Sequence, residues 1–340
     1  MATLSVLYPT LADIEKAKDP KGNIAPVIEM LAQMSPCVRY GYAQECNNGT
    51  KHRHVIRTGI PSPTWTAFYE TVQPSKSTRT QVEDTTGMLE NWTQIDKRLY
   101  DITNNKAQYR LTEASAVLEG FAQEVEQTIF YGNVNTSPRE FHGLSPRFNS
   151  TTAANGNQIV NAGGTGSDNT SIWFITWGPS TAGLLYPQNT SSGMQRFDHG
   201  EQVSQDSNGG NIVYLKEQFL QHIGFYLADW RYVSRVANID VSNLSGGSAA
   251  DLFDKMITAY YRLQNRKGTT GFSMDGSQPV SIKPMIYCNT TIKEHLHKQA
   301  RTNANTLLSI REVQGEEVMT FLGMQIVETD GIVNTESTVS

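Results

Sequence analysis

The residues whose type and spacing come nearest to chemistry are two histidine pairs, His52/His54 and His295/His297, three cysteines, and the run Gly178-Pro179-Ser180-Thr181-Ala182. On a strand, His52 and His54 share one face and make half a metal site. No neighbouring Asp, Glu or Cys in the sequence completes it, and an exposed hairpin strand carries such residues readily. His295 and His297 stand two apart on an expected helix, about 200° around its axis, so they cannot chelate together. A nucleophile elbow requires glycine where Ala182 stands. Gly163-Gly164-Thr165-Gly166 lies in a Gly/Asn/Ser stretch rather than between a strand and a helix, which argues against a dinucleotide loop, and no Walker A sequence exists. Cys37, Cys46 and Cys288 form no C-x-x-C, and an odd count reads as buried or idle thiols of a reducing compartment. Glu113, Glu119, Glu124 and Glu126 read as the solvated face of a helix rather than acid/base groups. Trp65, Trp92, Trp173, Trp177 and Trp230 read as core or interface anchors, because basic residues are not interleaved with them. Neither a catalytic set, nor a metal site, nor a cofactor is expected.

Composition narrows the classes further. The chain has 340 residues, 38% of them hydrophobic, enough to bury a sizeable core and too many for a disordered tail. A net charge of -5, with scattered Lys and Arg, argues against tight nucleic-acid binding. No apolar run approaches the roughly 20 residues that cross a bilayer. Met1 to Pro9 lacks a basic n-region and an apolar h-region, so a cytoplasmic product is expected. Triplets such as Asn48-Gly49-Thr50 and Asn289-Thr290-Thr291 then reflect an Asn/Thr/Ser-rich surface rather than glycosylation.

The elements that would position these residues are an arm, a hairpin and a long helix. Ile24, Val27, Ile28, Leu31 and Met34 recur at helical spacing, closed by Ser35-Pro36. Thr50 to Thr58 favours a strand, Gly59 to Pro63 breaks it, Thr64 to Val72 alternates again, and Thr78 to Thr85 returns after the polar turn Gln73-Pro74-Ser75-Lys76-Ser77. Such a hairpin has little apolar mass of its own and leans on something outside the protomer's core. Next comes a helix capped by Asn105, with Leu111, Ala114, Val117, Leu118, Phe121, Val125 and Ile129 in one apolar stripe, stopping at Gly132. Thr151 to Thr170 reads as a boundary or mobile loop. Strands follow at Ile172–Trp177, Asn211–Leu215, Gly224–Leu227 and Trp230–Val241. A helix over Ser248–Gln264, a buried strand at Pro284–Cys288, a helix over Thr291–Arg301 and paired strands within Val318–Val327 complete an α+β chain without internal repeats. A protein with an arm, a projecting hairpin, a beam-like helix and no site has the form of an assembly subunit.

Several stretches carry a specific likeness. Phe130-Tyr131-Gly132-Asn133 with Ser137 to Arg147, then Ala162 to Trp173, Asp229 to Val241, Met285 to Thr291 and Phe321 to Val327, together resemble the major capsid proteins of short-tailed, epsilon-fifteen-like phages over nearly the whole chain. The resemblance implies the Hong Kong 97 phage capsid fold. Residues 1–45 would be the N-terminal arm, 46–95 the E-loop hairpin, and 96–150 the spine helix with the first part of the peripheral domain. Residues 151–245 would supply a loop and the remaining peripheral strands, 246–328 the axial domain and 329–340 a C-terminal tail. Peripheral strands ahead of the axial domain imply a rearranged strand order.

By the same resemblance, Gln73, Pro74, Ser75, Lys76 and Ser77 form the E-loop tip used in assembly, and Leu111, Val117, Leu118, Phe121, Val125 and Ile129 the structural spine. Hexamers and pentamers would form an icosahedral shell around double-stranded DNA, assembled in a bacterial cytoplasm, and rearrange on maturation. With no long segment ahead of the arm, scaffolding would come from a separate protein, alongside a portal and a decoration protein. Some relatives crosslink Lys to Asn between subunits. Lys76 instead reads as a solvated tip residue, so noncovalent interlocking is expected. An encapsulin-like compartment and, more remotely, an α+β enzyme are the alternative readings.

Overall fold

A computed structural model describes residues 35–103, 105–190, 192–205, 209–244, 251–264, 271–272, 279–280, 282–302, 308–313 and 316–340. The expected arm helix around Ile24 to Met34 lies outside these residues. In chain order, α1 (Pro36–Tyr40) precedes β1 (Ala43–Glu45), β2 (Lys51–Gly59) and β3 (Thr78–Asp96), then α2 (Lys97–Ile102) and the long α3 (Lys106–Tyr131). Six strands follow: β4 (Ile159–Asn161), β5 (Asn169–Trp177), β6 (Ala182–Tyr186), β7 (Gly193–Gln205), β8 (Asn211–Leu227) and β9 (Val233–Asp240). The remainder is α4 (Leu252–Arg262), β10 (Gly271–Phe272), β11 (Pro279–Val280), β12 (Lys283–Cys288), α5 (Thr290–Thr302), β13 (Leu308–Val313), β14 (Glu316–Phe321) and β15 (Met324–Glu328). The class is α+β, as expected.

The chain divides into two compact units. The described part of the first comes from Met88–Val125 and Ser192–His222, and the second from Pro36–Gly87, Glu126–Ser191 and Ile223–Ser340. In the second, β5 lies between antiparallel partners β9 and β12, while β12 runs parallel to β15. Every residue of β5 is buried, in keeping with the run of β-branched and aromatic side chains from Ile172 to Trp177. Its alternate side chains serve two layers. Ile172 and Phe174 join Phe253 and Met256 of α4 and Ile292 and Leu296 of α5 in one core. Trp173 packs at 6.3 Å from Phe130 and 5.9 Å from Phe148, and Trp177 at 6.2 Å from Phe225. Asp251 caps α4 by accepting from the Phe253 amide. All three cysteines are buried free thiols, with burial pushing Cys46 up to about 11 and Cys288 up to about 12.

In the first unit, β7 pairs antiparallel with β8 as a long hairpin. Ala114 and Phe121 of α3 pack on Phe219, with Leu89, Val117 and Met194 around them. Arg110 on α3 donates to Glu217 at 2.6 Å and Asp198 at 2.7 Å. The sequence pattern predicts only short strands at Asn211–Leu215 and Gly224–Leu227 and none at β7, because polar residues break the apolar alternation along β7 and β8.

Two expectations about α3 are corrected. Leu111 is 61% and Leu118 47% exposed, so the stripe is not covered along its length. At 100° per residue both lie about 40–60° to one side of the line through Ala114, Phe121 and Val125, beyond the contact with the strands. Glu126 is buried rather than solvated: it accepts from the Cys37 amide at 3.2 Å and the Thr329 hydroxyl at 2.6 Å. The helix stops at Gly132 because the chain folds back onto its last turn. A Cβ at Gly132 would meet the Phe141 carbonyl oxygen at 2.5 Å, and one at Gly143 the Thr128 oxygen at 2.6 Å. That approach lets the Gly143 and Leu144 amides donate to the Gly132 and Ile129 carbonyls at 2.8 and 2.9 Å.

Thr151 to Thr170 is not simply a loop, since it holds β4, which pairs parallel with β9 and is buried at Ile159 and Val160.

Candidate functional site

The hairpin of β2 and β3 ends in a segment, residues 60–77, whose large apolar side chains the described chain leaves exposed. Its antiparallel register runs from Lys51 opposite Thr85 to Gly59 opposite Thr78. Arg53 faces Glu83 and donates to it at 2.5 and 2.8 Å, a cross-strand pair on the solvent side. Beyond Gly59 the ladder stops. Pro61, Pro63 and Pro74 offer no amide to a ladder, and residues 60–77 carry no strand, contrary to the alternation read over Thr64 to Val72. The chain reverses at Ala67–Glu70, where the Glu70 amide donates to the Ala67 carbonyl and the Ala67 amide to the Glu70 carboxylate. Tyr69 takes a left-handed conformation there, with φ 70°. Gln73 to Ser77, expected at the tip, therefore lie on the returning limb, where Ser75 donates to the Ser62 carbonyl at 3.2 Å. Gln73, Pro74, Ser75 and Lys76 are exposed and Ser77 is half-buried.

The same segment carries aromatic residues that the alternation over Thr64 to Val72 predicts on a strand. Trp65, Phe68 and Tyr69 are fully exposed, with Ile60 and Val72 beside them in the sequence also in water. Exposed aromatics in a Pro-broken segment were the available signal. Of the other tryptophans, Trp173 and Trp177 are buried, Trp230 is half-buried, and Trp92 stacks on His199 with ring centroids 4.9 Å apart.

At its root the hairpin is tied down by charge and imidazole. His52 and His54 were expected on an exposed strand, yet both are buried. Asp84 of β3 stands opposite His52 and lies 3.8 Å from Nδ1 of His54. Arg147 donates to Asp84 at 2.7 Å and to the His142 carbonyl at 3.0 Å. No group of three His, Cys, Asp or Glu among the described residues has the arrangement of a metal site. His295 and His297 both lie on α5, as expected.

Comparison with known proteins decides what this architecture is for. A family model described as major capsid protein GP7 matches residues 19–340. The chain belongs to the major capsid protein GP7 family. This capsid protein is also similar to the chain in a near-atomic structure of bacteriophage Epsilon15, at 36% identity and a TM-score of 0.76, covering 100% of this chain and 99% of that one. That match carries the Hong Kong 97-like capsid fold. More distant are the bacteriophage JBD30 capsid (10% identity, TM-score 0.49, 96% and 99% covered) and the SrpI encapsulin complex from Synechococcus elongatus PCC 7942 (11%, 0.42, 68% and 96%). No curated protein matches. The role of the capsid protein is structural: it is a subunit of a phage shell.

Proposed function

We propose that the chain assembles into hexamers and pentamers of an icosahedral shell around double-stranded DNA in a bacterial cytoplasm, and that the 60–77 segment is the noncovalent interlock between neighbours. The observation that carries this is the exposure of Trp65, Phe68 and Tyr69 on one short segment. Each aromatic can bury roughly 150–250 Å², and a Trp, Phe or Tyr left in water forgoes about 2 kcal/mol. A neighbouring copy would cover them, with Gln73 to Ser77 shaping the returning limb. Contacts of about micromolar strength suffice, because each subunit in a closed shell is held by several at once. The net charge of -5 suits a container whose contents must slide. Scaffolding, portal and decoration proteins are the further partners of this reading. On maturation, α3 and the hairpin would pivot as rigid bodies between two packings.

Two variants test the interlock: deletion of Gln73 to Ser77, and the triple change Trp65→Ser, Phe68→Ser, Tyr69→Ser. Circular dichroism and sedimentation velocity should show folded subunits in both. Negative-stain microscopy should show shell yield reduced by more than about tenfold in the triple variant, given the apolar contact removed. Shells formed by either variant at the unaltered yield would refute the role. Nuclease-protected DNA in purified particles, rather than protein cargo, tests the contents.

A further inference from the structure

The root of the hairpin holds polar groups that its folded state does not use. His52 and His54 are 3% and 4% exposed, their rings stacked 6.0 Å apart. Among the described residues, Nδ1 of His52 and both ring nitrogens of His54 make no well-formed hydrogen bond, the Leu227 backbone being a polar group beside His54 that favours a proton there. Leaving buried polar atoms unpaired costs about 1–3 kcal/mol each, and an apolar pair on that strand face would avoid the cost. The surroundings hold the rings neutral. From β1, the Gln44 side-chain nitrogen stands 3.0 Å from Nε2 of His52, and the Tyr226 ring of β8 packs on the imidazole with centroids 5.3 Å apart. In that arrangement the Gln44 amide donates and the neutral ring accepts at Nε2.

From β3, Asp84 is the one carboxylate beside His54 among the described residues, and Arg147 already neutralises it. The Leu227 amide adds a donor to the same carboxylate at 3.4 Å. His142, half-buried on the segment leading to Arg147, and the guanidinium itself complete the facing groups. Any proton added to this cluster leaves it with excess positive charge away from water. Burial is the largest cause holding both histidines below their ordinary range; Asp84 opposes it at each, and the Leu227 backbone opposes it at His54, while Arg147 adds to it there. A metal ion is disfavoured by the same count, because the carboxylate it would need is taken by Arg147.

We propose that this cluster is a proton-operated clasp: neutral His52 and His54 hold the hairpin root shut, and their protonation releases β2 and the start of β3 from the strands beneath. The clasp regulates the hairpin that the assembly reading makes the interlock, and rests on that reading for its purpose. The sign follows from linkage. With the root open the rings are solvated and titrate near their ordinary value of 6.5, whereas the closed root resists the proton. Closure is fully favoured above that value and weakens as pH falls below it, by about tenfold per pH unit for each ring still neutral in the closed state.

Hydrogen–deuterium exchange on the unassembled full chain tests this without any shell. Rates corrected for intrinsic chemistry should rise at least about tenfold between pH 7.5 and 5.5 in 51–59 and 78–86, and not in 169–177. An unchanged root, or equal acceleration in 169–177, overturns the clasp. The double variant His52→Gln, His54→Gln should flatten the response, and a retained response in the folded variant assigns it elsewhere and overturns the proposal. Ring-proton resonances of the unaltered chain supply a reading that needs no variant: two histidines should stay neutral below the ordinary range, and ordinary titration of all seven sinks the idea. If the Gln73–Ser77 deletion and the triple aromatic variant assemble normally while the root still responds to pH, the interlock fails and the clasp stands.

Discussion

Arg235 is a guanidinium with 1% of its surface in water, and its charge is met by one residue far along the chain. Glu336 accepts from it at 2.9 Å and from the Ser171 and Tyr131 hydroxyls, while the Phe148 carbonyl takes a further Arg235 proton at 2.8 Å. The Trp173 ring lies 4.8 Å below the guanidinium. Glu336 also bridges Asn169 through the backbone, and Val339 exchanges hydrogen bonds with the Asn238 side chain, so residues 329–340 belong to the core of the second unit. Glu336→Gln should therefore destabilise the subunit by about 3–5 kcal/mol, because it strands a buried charge. Urea denaturation monitored by tryptophan fluorescence reads this directly. A loss below about 1 kcal/mol would mean that the hydroxyls and carbonyl alone satisfy Arg235. Neither this pair nor Asp84–Arg147 was legible in the sequence. Each joins residues 63 or more apart, and spacing carries no trace of such a contact.

At the scale of elements, α3 offers a paired test of which side faces the protomer. Phe121 is 4% exposed against Ala114 and Phe219. Phe121→Asp removes that packing and buries a charge, at a cost of more than about 3–5 kcal/mol, and should abolish both folding and shell formation. Leu111→Ser should change the stability of the isolated subunit by no more than about 0.5 kcal/mol, since the side chain already meets water. If a neighbour covers that flank in the shell, thermal melting will match the unaltered chain while particle yield drops. Matching yield would leave Leu111 a solvated residue. The helix itself was legible to within a residue, from its period and from Asn105, which accepts from the Gln108 amide at 3.3 Å. The period could not show how wide a stripe the strands would cover, nor that Glu126 would face the chain before and after the helix. The hairpin strands were legible up to Gly59, but β3 runs on to Asp96, because beyond Thr85 it gains a second partner in β8 that no local pattern announces.

For the whole molecule, the question is which force brings like-charged copies together. Each chain carries 33 acidic against 28 basic residues, so adjacent copies repel. The segment proposed to hold them offers Trp65, Phe68 and Tyr69, whose burial is insensitive to salt, while charges on the strands that carry it, such as Arg53 and Glu83, are already paired within the chain. Raising the ionic strength from about 0.01 to 0.1 M shortens the screening length from about 30 to 10 Å, which weakens the repulsion and leaves the apolar contact intact. Assembly of purified subunits, followed by light scattering, should therefore become more extensive as sodium chloride rises over that range. Ion pairs between copies would reverse the trend, dispersing shells as salt is added. A reversed trend that disappears in the Lys76→Ala variant would trace those pairs to the returning limb. The aromatic segment would then fix register while charge supplied the attraction.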